Sequence, residues 1–165
     1  MSFRQEDDGI FTGDIVFNNA VLNSACVNDA QVGVAAAIQA SKMRHQHRQR
    51  YSQELATAAS TGSYVIHVFK GATGGVLAFG CGAAVKPSGD GSVTMNLKRG
   101  TTVILSSAMT LNSASTNYGV ALGTVGTSAC TVGDVLVLSI AASTGTAGAV
   151  GTGVFAFVDV LEDYQ

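Results

Sequence analysis

The side chains best suited to chemistry gather in one stretch, Lys42-Met43-Arg44-His45-Gln46-His47-Arg48-Gln49-Arg50. It carries four of the chain's nine Lys and Arg residues and two of its three histidines. Three kinds of chemistry use such a run: phosphate contact, metal ligation, and charge pairing in a docking arm. His45 and His47 are two residues apart, so in an extended segment both imidazoles face the same way and can approach one ion. Two ligands from one chain hold a metal weakly, whereas three copies around a threefold axis would offer six nitrogens. The flanking arginines oppose this by repelling a further cation. Nucleic acid fits less well, because affinity for phosphate grows with the counterions released, and this chain has a net charge of −2 and no aromatics interleaved with its basic run. Charge pairing is therefore the first reading of Lys42, Arg44, His45, His47, Arg48 and Arg50, as a docking and oligomer-organising segment without direct nucleic-acid contact. A metal on His45 and His47 is the minor reading.

Little else in the chain points to catalysis. A nucleophile needs Ser or Cys beside a His and an orienting carboxylate, and no Gly-x-Ser-x-Gly elbow accompanies His45, His47 or His67. His67 falls in an alternating segment, in phase with Val65 and Phe69, and reads as structural. Carboxylates cluster only near the ends, as Glu6-Asp7-Asp8 and Glu162-Asp163, where solvation is the simplest role. The glycines follow neither the dinucleotide nor the Walker pattern in a strand-to-helix context. Cys26, Cys81 and Cys130 are too few and too scattered for a metal cluster or a disulfide framework. They read first as small buried thiols, with a Cys81–Cys130 bridge between strands or chains left open. These residues point to a nonenzymatic protein without a cofactor.

The elements that carry these residues fall into two textures. From residue 62 to 161, short apolar runs are separated by Gly, Ser, Thr and Asn. Strands are predicted at 64–69, 76–85, 92–97, 101–105, 118–125, 134–142 and 153–161. Gly80 and Gly82 mark a bulge or a close backbone approach. Pro87-Ser88-Gly89-Asp90-Gly91 is the strongest turn signal, and Lys98-Arg99-Gly100 reads as a tight hairpin turn. In the last strand Phe155 and Phe157 share one face, while Ala156, Val158 and Val160 share the other. Strands of this length at roughly ten-residue intervals predict an all-β, antiparallel β-sandwich of jelly-roll type over 61–165. Residues 1–60 lack sustained alternation and read as an extended N-terminal arm. It includes a short helix over 29–42, capped by Asn28 or Asp29, and a short strand at 14–18. The helix offers only Val, Ala and Ile to a partner, so Val32 and Ile38 join the basic run as oligomerisation residues.

The composition agrees with assembly. Only 12% of residues are charged while 47% are hydrophobic, which favours a surface covered by other chains. The N-terminus, MSFRQEDDGIF, is acidic where a signal peptide is basic, and no apolar run reaches the roughly 18 residues of a membrane span. Folding in a cytoplasm, without a membrane, is the expectation.

The order of phrases carries a resemblance: “DAQVGVAAAIQASKM”, “RHQHRQRYSQ”, “YVIHVFKGATG”, “GSVTMNLKRGTTVILSSAMTLNSAST”, “VGDVLVLSI” and “GVFAFVDVLEDYQ”. Over residues 28–165 the chain resembles small structural proteins of tailed bacteriophages and prophages, of the capsid-decoration (cement) and fibre-like type. The resemblance implies a homotrimeric β-sandwich on the virion surface, assembled in the host cytoplasm. It also implies an N-terminal arm that docks on the major capsid protein. In the fibre-like alternative the sandwich binds host glycans, with Tyr118 and the loop from Asn112 to Asn117 as the candidates.

Overall fold

Alternating apolar residues dictate the architecture. The computed structural model describes residues 44–163, all within one compact unit. The expected helix with Val32 and Ile38, the strand at 14–18, Cys26 and Lys42 lie outside those residues. The chain forms β1 (Arg44–Ser52), β2 (Gly62–Val68), β3 (Thr73–Val85), β4 (Ser92–Arg99), β5 (Thr102–Val103), β6 (Met109–Leu111), β7 (Val120–Gly123), β8 (Ala129–Thr131), β9 (Val135–Ser143) and β10 (Thr152–Asp163). Among the described residues there is no helix, and so none long and apolar enough to cross a membrane.

These strands make two antiparallel sheets. The first runs β1-β10-β3, with β7 and β8 following one another along the far edge of β3. The second runs β2-β9-β4, with β5 and β6 along the far edge of β4. Between the sheets, Val93, Met95 and Leu97 of β4 face the same interior as Leu136, Leu138 and Ile140 of β9, all buried. Val154, Ala156, Val158 and Val160 of β10 close that interior with Val76, Phe79, Cys81 and Ala83 of β3. Full burial of a Leu, Val, Phe or Met side chain contributes about 1.5–3 kcal/mol, so this double layer is the main source of stability. No polar or charged residue among those described is fully buried. Gly100, at φ +59°, makes the tight turn between β4 and β5, as expected for a hairpin that needs a left-handed residue.

Three features depart from the sequence reading. β6 and β8, three residues each, were too short to signal themselves. In β2 the ladder with β9 slips between Val65 and His67, so Ile66 is an extra residue. That bulge breaks the expected phase: Val65 points to solvent, while His67 turns inward with Phe69. The third departure concerns the arm. β1 pairs with β10 without interruption from Arg44↔Asp163 to Ser52↔Phe155. The basic run from Arg44 onward is thus a strand of the sandwich itself, and the boundary expected at residue 60 falls inside the domain. Its backbone ladder explains why: the pairing does not depend on apolar side chains, and β1 has few.

Candidate functional site

Strand alternation divides the basic run into two groups with different surroundings. Gln46, Arg48, Arg50 and Ser52 project from the outer face of the first sheet. His45, His47, Gln49 and Tyr51 project to the side that faces the second sheet. His45 remains exposed there, while His47 and Tyr51 approach β2: the His47 and His67 rings are 5.1 Å apart, and those of Tyr51 and Tyr64 are 4.4 Å apart.

On the outer face, Arg48 lies directly opposite Asp159. Its Nε donates to Oδ1 at 2.6 Å and its Nη2 to Oδ2 at 2.8 Å, a bidentate pair. The same guanidinium sits 4.1 Å over the ring of Phe157. The hydrogen bond from Arg48 holds the Asp159 carboxyl below the usual carboxylate range. Next to this pair the Phe155 and Phe157 rings pack over glycines of β3. A Cβ on Gly80 would come within 2.5 Å of the Phe157 ring, and one on Gly82 would strike the Phe155 ring and the Gly119 carbonyl. The two glycines are slots for the two rings in a ladder of regular register, so the bulge expected at Gly80 and Gly82 is not found there. Val120 and Leu122 of β7 stand opposite Gly82 and Gly80 and extend the strip outward, at 53% and 71% exposed. Arg48, Arg50 and Ser52 line the near side of the depression between this strip and β1.

On the other side of β1, three side chains from three strands converge: His47 of β1, His67 of β2 and Glu162 of β10. The Nε2 atoms of His47 and His67 lie 3.6 and 3.4 Å from the same oxygen, Glu162 Oε2. The other oxygen, Oε1, accepts the Lys70 backbone N–H at 2.8 Å. His67 is also fixed by an edge-on contact with the Phe69 ring, 4.8 Å between centroids. Burial pushes the His67 imidazole below its ordinary value, and the Glu162 carboxylate only partly offsets this. Burial also acts to raise Glu162, but the backbone N–H groups of Lys70 and Gly71 together with His67 outweigh it and keep the carboxyl below its ordinary value. Among the described residues this is the one place where three His, Cys, Asp or Glu side chains converge closely enough to share an ion.

The expected site residues are therefore dispersed. Arg48 is matched within its own chain, Arg50 borders the apolar strip, and His47 belongs to the inner cluster without His45. Arg44 begins β1. Cys81 and Cys130 are buried and not bridged to each other within the chain; burial pushes the Cys81 thiol up to about 12 and raises that of Cys130. Sequence reasoning missed Glu162 and His67. Glu162 was assigned to a solvated terminus, although it continues the inward phase of Val158 and Val160. His67 was hidden by the bulge at Ile66. Comparison with known proteins found no family model that matches the chain and no curated protein that matches its sequence.

Proposed function

We propose that the protein is a structural component of a bacteriophage virion: a homotrimeric capsid-decoration protein that binds the major capsid lattice and stabilises the head. One observation carries this reading: the outer strip of Phe155, Phe157, Val120 and Leu122, bordered by Arg48 and Arg50. An exposed apolar strip with a cationic border has the composition of a protein-binding surface, apolar at its centre and polar at its rim. Arg48 is already paired with Asp159, so apolar area carries most of the contact between copies in the trimer and Arg50 contributes orientation. The strand order is also that of a jelly roll, with β5–β6 and β7–β8 each acting as one interrupted strand, an arrangement found in capsid proteins and in lectins alike. Antibodies raised against the purified protein should label the heads of particles from the host that encodes it. Leu122→Asp should lower its occupancy on those heads at least tenfold. Labelling confined to tails, or occupancy unchanged by Leu122→Asp, contradicts the assignment.

A second reading has one observation of its own. Tyr118 is 67% exposed and holds a left-handed backbone, φ +55°, that a non-glycine residue adopts at an energetic cost. Its N–H donates to the Ala83 carbonyl, and Asn117 accepts the Lys86 N–H beside it. An aromatic ring presented on a braced loop suits stacking on a sugar, as in the fibre-like alternative. Under that reading, a glycan array probed with the oligomer shows binding that Tyr118→Ala abolishes; an array without binding removes it.

A further inference from the structure

We propose that His47, His67 and Glu162 form a binding site for a divalent transition metal, zinc above all, with solvent completing the coordination. Two imidazole nitrogens and one carboxylate oxygen are a ligand set that zinc accepts in three-ligand sites with an open fourth position. The spacing suits it. Donors bonded at about 2.0–2.1 Å in tetrahedral directions stand roughly 3.4 Å from one another. Both Nε2 atoms are already 3.4 and 3.6 Å from Glu162 Oε2, and all three ligand atoms lie within 4.8 Å of one another.

Two further observations distinguish the cluster from a chance meeting of polar groups. The first is the orphaned atom. His67 Nε2 is buried without a hydrogen-bond partner, on a side chain only 10% exposed, and it lies 3.4 Å from Glu162 Oε2. A buried polar nitrogen left unsatisfied is costly, and a bound cation would satisfy it. The second is the supporting shell. The Lys70 N–H holds Oε1 of Glu162, which leaves Oε2 for the imidazoles, and Phe69 packs against His67. His47, with 34% of its side chain exposed, is the ligand through which an ion reaches the site from solvent. The ligands come from β1 and β10 of one sheet and β2 of the other. A bound ion would therefore clip the two sheets together along the edge where β1 faces β2.

The experiment uses the full-length chain without a histidine tag, stripped with a chelator and titrated with zinc chloride. The expected result is one zinc per chain and a visible d–d spectrum of tetrahedral character when cobalt(II) replaces zinc. The melting temperature should rise by about 5–10 °C at a free zinc concentration a hundredfold above Kd. His47→Gln and Glu162→Gln should each weaken binding by about a hundredfold or more, and His45→Gln should leave it unchanged. His47 is partly exposed, so its variant folds even if changes at His67 do not. Absence of stoichiometric binding overturns the proposal. So does one ion per three chains that is lost in His45→Gln, since that is the signature of a site on the threefold axis.

Discussion

At the scale of single residues, the outer face of the first sheet is governed by what glycine makes room for. Gly80 and Gly82 differ in what surrounds them: Gly80 is crowded by the Phe157 ring and the Leu122 side chain, which can shift, whereas Gly82 also faces the Gly119 carbonyl. Gly82→Ala should therefore destabilise by about 1–3 kcal/mol in urea unfolding, and Gly80→Ala by less. The Arg48–Asp159 pair makes a prediction about pH. Because Arg48 holds the folded-state carboxyl below its unfolded value, the pair's stabilisation is fully present above the ordinary carboxylate pKa, about 3.9. It is lost as the pH falls from there through the depressed value. Asp159→Asn should flatten that part of the stability profile, and salt should shrink the effect in the native chain, since Arg48 is half exposed. A profile unchanged by Asp159→Asn would assign the acid sensitivity to other carboxylates.

At the scale of elements, the sandwich depends on two facing ladders of apolar side chains. Leu138, fully buried and paired across the ladder with both Leu97 and Tyr64, stands at the centre of the second sheet. Leu138→Ala should cost about 2–5 kcal/mol in denaturant unfolding without changing the fold, and a loss under 1 kcal/mol would mean that the core is not organised around it. The strands of this kind were legible in the sequence. β4 alternates cleanly, so Val93, Met95 and Leu97 could be placed on one face, and β10 could be divided into Phe155 and Phe157 on one face and Ala156, Val158 and Val160 on the other. β1 was not legible, because its inward positions are His45, His47, Gln49 and Tyr51, and period-two hydrophobicity is the primary strand signal in a single sequence. Its pairing with β10 is backbone to backbone. The inner cluster was hidden for a related reason. It requires β1 to be a strand and β2 to carry a bulge at Ile66, and neither follows from residue type. Glu162 alone carried a readable signal, the continued inward phase of β10.

At the scale of the whole molecule, the proposed assembly rests on a surplus of apolar surface. The interior is already filled by β3, β4, β9 and β10, yet Leu122, Val120 and Leu77 remain outside it on the first sheet. With 12% charged residues and a net charge of −2, the chain has little electrostatic repulsion to keep copies apart. The low charge was readable at once and pointed to covered surface. Its location was not, because it depends on Phe155 and Phe157 lying over glycines of a neighbouring strand. The account adds to the expected N-terminal contact, whose Val32 and Ile38 lie outside the described residues, an apolar contact on the outer face of the first sheet with Arg50 at its border. Sedimentation velocity on the full-length protein at physiological salt tests this most directly. The account predicts a species of three 16.7 kDa chains that Leu122→Asp dissociates while the melting curve of the sandwich stays in place. A monomer at micromolar concentration, or a trimer indifferent to Leu122→Asp, would contradict it.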